Sequence, residues 1–271
     1  MTQRQTLWPW ILGIVLVAGL GWWLFWPRQQ AGQGAEEAPV TGAATAPAAS
    51  APADPAAATG EPAIQHPIAS DDAAAPALPP LADSDATAWE ALSGLVGGDD
   101  ALALLIRDHL VQRLVIMVDN LTQPRIATRA LAVTPVPGTL GVDASEAGTT
   151  LAAANAQRYA PYVQAFTRID AGRAAATYAH FYPLFQQAYA ELGTQGYFND
   201  RLVQVIDHLL KAPEPTQPPA LQLNDSGKYR FVDPALESLS VGQKALVRLG
   251  PEQEAAVKAQ LRRLRAALAQ T

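Results

Sequence analysis

Apolar and polar positions divide this chain into three stretches of different character. Residues 7–27, LWPWILGIVLVAGLGWWLFWP, carry no charge. An apolar run of that length predicts a single helix crossing a hydrocarbon core of ~30 Å. From residue 28 to 82 large apolar side chains almost disappear, and Ala and Pro dominate. Frequent prolines break helices and remove backbone donors, and so little apolar surface cannot offset the entropy of ordering. This stretch reads as a disordered tether with a polyproline-II bias. From residue 83 to 271 apolar residues return, mostly at helical spacing.

Within that last stretch the pattern resolves into elements. Asp83 or Ser84 caps a first helix through Leu95, closed by Gly97–Gly98. Asp99 opens a second, with Leu102, Leu105, Ile106, Leu110, Leu114, Met117 and Val118 on one face. TLGVD and TTLA flank a glycine-containing turn and predict a hairpin. Asn155 to about Arg168 is a helix. Asp170 then caps a longer one ending at Gly193, with Pro183 expected to kink it near Ala179–His180. GYFNDRLVQVIDHLL supplies the next helix, and LQL with KYRF a second hairpin. Ser240 caps the penultimate helix, and Pro251 sits in the first turn of the last. The fold class expected is mainly α: an N-terminal single transmembrane helix, a disordered Ala/Pro-rich tether and a compact multi-helix domain with one or two small β-hairpins. The boundaries expected are 1–6 for a cytoplasmic N-terminus, 7–27 for the anchor, 28–82 for the linker and 83–271 for the helical domain.

The flanks of the apolar run sharpen this picture. Trp8 and Trp10 lie at one end and Trp22, Trp23 and Trp26 at the other. Indoles at both edges mark the two interfaces of a spanning helix. A cleaved signal peptide has a shorter apolar region, ~7–15 residues, closed by a small-residue cleavage site. Arg4 and Arg28 bracket the span, and Glu36 and Glu37 lie beyond it, which tips the N-terminus towards the cytoplasm. The expected localisation is the bacterial inner membrane, single-pass, with the C-terminal domain in the periplasm. Fully extended at ~3.1 Å per residue, the tether spans on the order of 170 Å.

Composition removes several kinds of chemistry. There are no cysteines, so disulfides, thiolate metal sites and thiol catalysis are excluded. The formal net charge is -6, which argues against nucleic acid as a partner. No His-Glu-x-x-His, Gly-x-Ser-x-Gly or phosphate-binding glycine loop is present. No catalytic set, metal site or cofactor is therefore expected.

The most polar helix is GYFNDRLVQVIDHLL. On a wheel of ~100° per residue, Asp200, Gln204, Asp207 and Lys211 share one arc, with Arg201 and His208 beside it. Leu202, Val205, Ile206, Leu209 and Leu210 take the other side. The plain reading is an amphipathic helix with its polar side in water; the sharper one is a groove lined by that arc. Tyr197, Asn199, Asp200, Arg201, Asp207 and His208 are the candidate binding residues. Tyr178, Phe181, Tyr182, Phe185 and Tyr189 recur at helical spacing, near Tyr159, Tyr162, Phe166 and Phe198. Such a stripe buries large area and reads as core; exposed, it would stack against sugar rings. His180 and Glu191 are ~16 Å apart along one helix, too far to form one site. His109 reads as a surface or boundary residue, and His66 falls in the tether.

Several segments together carry a resemblance. NxxRYxPYV (155–163), FYPLFQQAYAELG (181–193), GYFNDRLVQVIDHLL (196–210), YRFVDPALESLSVGQK (229–244) and RLGPEQEAAVKAQLRRLR occur in order along the head. They resemble a proteobacterial family of uncharacterised proteins known as domain of unknown function 3014. The resemblance implies an envelope protein with an anchor and a variable tether, and no activity. The expectation is a non-catalytic binding or scaffold module. Its partners are the bilayer through residues 7–27 and either an envelope protein or cell-wall glycan. The alternative is a periplasmic enzyme acting on cell-wall glycan through carboxylates such as Asp200, Asp207 or Glu191. Self-association through the second or last helix is a third reading.

Overall fold

A computed structural model describes residues 63–68, 76–98, 102–127 and 131–270. The predicted anchor, 7–27, and most of the predicted linker lie outside the described residues. No helix among the described residues is long and apolar enough to cross a membrane.

The described chain is mainly helical with one small antiparallel sheet. Its helices are α1 (Asp85–Val96), α2 (Leu110–Asn120), α3 (Asn155–Thr167), α4 (Ala171–Glu191), α5 (Phe198–Leu210), α6 (Pro234–Glu237), α7 (Val241–Leu249) and α8 (Pro251–Leu268). The strands are β1 (Val142–Ser145), β2 (Gly148–Leu151), β3 (Ala220–Leu223) and β4 (Tyr229–Phe231).

Local signals account for most boundaries. Gly97 ends α1 in the left-handed conformation at φ 81°. The Asp170 carboxylate accepts from the Arg173 N–H at the start of α4, and Ser240 accepts from the Gln243 N–H at the start of α7. Pro251 opens α8, where its missing donor costs nothing. Pro183 does not interrupt α4, which runs as one helix from 171 to 191.

The second helix departs from expectation. It begins at Leu110 rather than Asp99, which lies outside the described residues. Residues 104–106 instead pair with 132–134: the Ile106 N–H donates to the Ala132 carbonyl and the Thr134 N–H to the Leu104 carbonyl. His109 then turns the chain in the left-handed conformation, φ 52°. Asp85, from α1, accepts from the His109 and Leu110 N–H groups at 2.9 and 2.8 Å. A carboxylate supplied across 24 residues thus caps α2, and no local pattern encodes that. Leu102 and Leu105 are buried as expected, but from an irregular segment.

Helix α8 is the hub. It packs against α3, α4, α5 and α7, while α2 packs on α4 and α5. Val257, Leu261, Leu264 and Leu268 fill its inner side. Its apolar stripe is therefore used within the fold, as is that of α2. The aromatic stripe of α4 is core: Tyr178, Phe181, Phe185 and Tyr189 are buried, and Phe185 stacks on Phe198 of α5 at 5.7 Å between centroids.

The two predicted hairpins form, and they join. β2 pairs with β3 through Thr149–Leu221 and Thr150–Ala220, which makes one sheet in the order β1-β2-β3-β4. Leu151, Leu221 and Phe231 pack with Val247 of α7 in a separate small core. Asn155 ties this unit to the helices: it accepts from the Gly141 N–H and donates to the Arg248 carbonyl.

Candidate functional site

The N-terminal turn of α5 is built on α4. Tyr197, the residue before the helix, is extended at φ -110° and gives no side-chain cap. Gln186 of α4 takes over that role. Its Oε1 accepts from the Phe198 N–H at 2.8 Å and from the Tyr182 hydroxyl at 3.0 Å, and its Nε2 donates to the Gly196 carbonyl at 3.0 Å. The first turn of α5 is thereby locked to α4, with Phe198 wedged among Tyr178, Phe185 and Tyr189.

This lock presents Asn199 and Asp200 to residues 63–68. Asp200 Oδ2 accepts from the Gln65 N–H at 3.0 Å, and Oδ1 accepts from the His66 N–H at 2.7 Å. The His66 ring Nδ1 also lies 3.1 Å from Oδ1. Asn199 Nδ2 donates to the His66 carbonyl at 2.8 Å. Ile68 packs against the main core. The segment is held through two consecutive amides and one carbonyl, so its main chain carries most of the recognition. Charge-assisted bonds from N–H to carboxylate are about twice as strong as neutral ones.

The floor of this clasp is polar and dry. Asn199 is 1% exposed, and its Oδ1 has no hydrogen-bond partner among the described residues. The Tyr178 hydroxyl is buried and likewise lacks one. Burial pushes the Tyr178 phenol well above its ordinary value, helped by Tyr182 and Asp200. Burial raises Tyr182 to about 12. Both phenols stay neutral at physiological pH.

The six candidate residues therefore separate. Tyr197, Asn199 and Asp200 share the N-terminal end of α5. The other three face different neighbours. Arg201 turns to the end of α2, with Nε 2.6 Å from Asp119 Oδ1 and a terminal nitrogen 2.7 Å from Thr122 Oγ1. Asp207 accepts from Arg265 of α8 at 3.1 Å. His208 Nε2 sits 2.8 Å from Ser240 Oγ, and burial lowers its pKa, with Lys211 and Arg201 adding to the effect. The polar arc is thus only partly a solvated face. Gln204 and Lys211 are exposed, whereas Asn199 and Asp200 are buried and Arg201, Asp207 and His208 are half-buried. Neighbouring helices supply the partners that water was expected to supply.

The carboxylates of the glycan-enzyme reading are not brought together. Asp200 and Asp207 are separated by about 10 Å of helix rise, and each has its own partner. Glu191 is exposed and accepts from Gln187. Among the described residues no group of three or more acidic or His side chains could hold a metal ion. A second concavity, of about 360 Å³, lies between the 215–219 loop and the α7–α8 junction, lined by Leu151, Ala156, Pro218, Val247 and Gly250. Behind it Arg248 is 1% exposed, its guanidinium 4.7 Å from the Phe231 ring centre.

Sequence reasoning placed His66 in the tether and did not connect it to Asp200. A signal was present. Between residues 29 and 80 the large aliphatic residues are only Val40, Ile64, Ile68 and Leu78. Two of them flank His66. In a stretch otherwise made of Ala, Pro and small polar residues, AIQHPI stands out as a short docking motif.

A family model described as "Protein of unknown function (DUF3014)" matches residues 110–265, more than half of the chain. The chain belongs to this family. The DUF3014 match begins with α2 and runs into α8, so it covers Asn199 and Asp200 but not the 63–68 segment they hold. No curated protein and no solved structure matches the chain.

Proposed function

We propose that this chain is a membrane-tethered envelope protein whose helical head is a non-catalytic binding or scaffold module. In this reading residues 7–27 anchor it in the bacterial inner membrane, the Ala/Pro-rich linker spaces it, and the head works in the periplasm. One observation carries the binding role. Two of the candidate polar residues, Asn199 and Asp200, grip the bent main chain at Gln65–His66. A general acid or base needs a carboxylate free to exchange a proton with substrate. Asp200 accepts two amides, and Asp207 is tied to Arg265. Glycan hydrolysis by paired carboxylates needs both groups facing a scissile bond at roughly 5–10 Å separation, whereas Asp200 and Asp207 are each engaged by a different part of this chain.

Two measurements test this. A periplasm-active reporter fused after Thr271 of the full chain is expected to be active; a silent reporter reverses the topology. Purified full-length protein incubated with cell-wall sacculi is expected to release no soluble glycan. Release that disappears in Asp200→Ala or Asp207→Ala would replace the binding module with an enzyme.

A further inference from the structure

We propose that the Asn199–Asp200 clasp is a peptide-recognition site, and that residues 63–68 occupy it as a displaceable internal ligand. The inference rests on the binding-module reading and names its partner class. That class is a short segment of a partner protein that bends as Gln65–His66 does, so that two consecutive backbone N–H groups face one carboxylate, followed by a carbonyl, a proline and an aliphatic side chain.

Four observations support it. First, the contacts are made to main chain, which a peptide of another sequence can also present by bending in the same way: the Gln65 and His66 amides to Asp200, and the His66 carbonyl to Asn199. Second, Pro67 lacks a donor of its own and biases His66 away from helical backbone, so the bend at Gln65–His66 does not continue into a helix and its two amides stay available to Asp200. Third, the segment lies in low-complexity sequence, and of its two aliphatic side chains Ile68 packs on the core while Ile64 is 48% exposed. Fourth, the site has more polar capacity than this occupant uses. Asn199 Oδ1, 1% exposed, and the Tyr178 hydroxyl both lack hydrogen-bond partners among the described residues. A peptide with a further donor at the His66 position could meet Asn199 Oδ1 and bind more tightly than the resident segment.

The resident segment also regulates access. A tethered ligand acts at a local concentration in the mM range, so a free peptide of equal intrinsic affinity is outcompeted. A partner gains entry by binding better or by presenting several copies. Release of 63–68 would at the same time free more linker between head and membrane.

The test uses the full chain. In a Gln65→Pro/His66→Pro variant the two donors that Asp200 accepts are removed, so the site is opened without touching it. A fluorescently labelled peptide with the sequence of residues 61–70, EPAIQHPIAS, is titrated and read by anisotropy. The expected result is saturable binding to the opened variant, at least about tenfold tighter than to the unmodified chain. That binding should be lost when Asp200→Ala is added, and also when the peptide is N-methylated at the Gln and His nitrogens. If Asp200→Ala fails to fold, Asn199→Ala serves in its place, with at least threefold weaker binding expected. The proposal is overturned if the opened variant keeps its helical circular dichroism and binds no peptide. It is also overturned if the N-methylated peptide binds equally well. Neither failure touches the tethered, non-catalytic reading, which stands or falls on the reporter and on glycan release.

Discussion

Lys258 is the most exacting test of the energetics. Its side chain is 2% exposed in the middle of α8, and its ammonium meets the Ala212 carbonyl at 2.6 Å, Glu214 at 2.7 Å and Glu254 at 2.9 Å. Glu254 is completely buried. Lys258→Met keeps the aliphatic stem and deletes the charge. It leaves Glu254 as a buried carboxylate without a counter-charge, a change that costs ~3–5 kcal/mol. For a folded unit of this size each kcal/mol shifts the midpoint by about 2–4 °C, so a fall of roughly 6–20 °C is expected. The assay is thermal and urea unfolding followed by circular dichroism. The double variant Glu254→Leu/Lys258→Met removes both buried charges and should recover most of the loss, with about 1 kcal/mol remaining for the orphaned Ala212 carbonyl. The pH dependence has a definite sign. Burial already raises the Glu254 carboxyl, and Lys258 holds it down. Without Lys258 it rises further, so protonation relieves the penalty and the deficit of Lys258→Met shrinks from pH 7.5 to 5. Glu214 contributes outside that window: Lys258 lowers its pKa, and the stabilisation is lost only as pH falls below the ordinary value of 4.5. A double variant as unstable as Lys258→Met would refute the charge argument. So would a deficit that grows on acidification.

Other expectations follow from single contacts. Gly242→Ala in α7 places a Cβ 2.5 Å from Leu209 Cδ2 and 2.9 Å from the Leu121 carbonyl oxygen. A change that favours an isolated helix by about 1 kcal/mol should here destabilise by ~1–3 kcal/mol in urea unfolding. The neutral His208 ring accepts the Ser240 hydroxyl that caps α7. Its pKa is lowered in the fold, so its stabilisation is present above the ordinary value of 6.5 and lost as pH drops below it. His208→Gln should flatten that part of the pH–stability curve; an unchanged slope would argue against the assignment. Arg201→Met should cost about 1–3 kcal/mol through Asp119 and Thr122, yet leave binding of the 61–70 peptide to the opened variant unchanged. Weakened binding at full folding would return Arg201 to the site.

Local sequence determined much of this protein. The breaks at Gly97 and Gly193, the caps at Asp170 and Ser240, Pro251 at the head of α8, both hairpins and the helical spacing of the aromatic stripe were all legible; that the stripe is buried was settled by packing. Each depends on residues within a few positions of one another, and periodicity reports such relations directly. The mainly helical class and the family resemblance were legible for the same reason. Tertiary structure decided the rest. α2 starts at Leu110 because Asp85 caps it and residues 104–106 bond to 132–134. The two hairpins become one sheet because Thr149 meets Leu221. Part of the polar side of α5, at Arg201, Asp207 and His208, belongs to its neighbours rather than to water because Asp119, Ser240 and Arg265 approach it from three other helical regions. Most of all, Asp200 holds His66 across 134 positions of chain. A helical wheel shows which way a side chain points. What waits there is set by the packing of helices distant in sequence, and a buried carboxylate takes whichever donors that packing delivers.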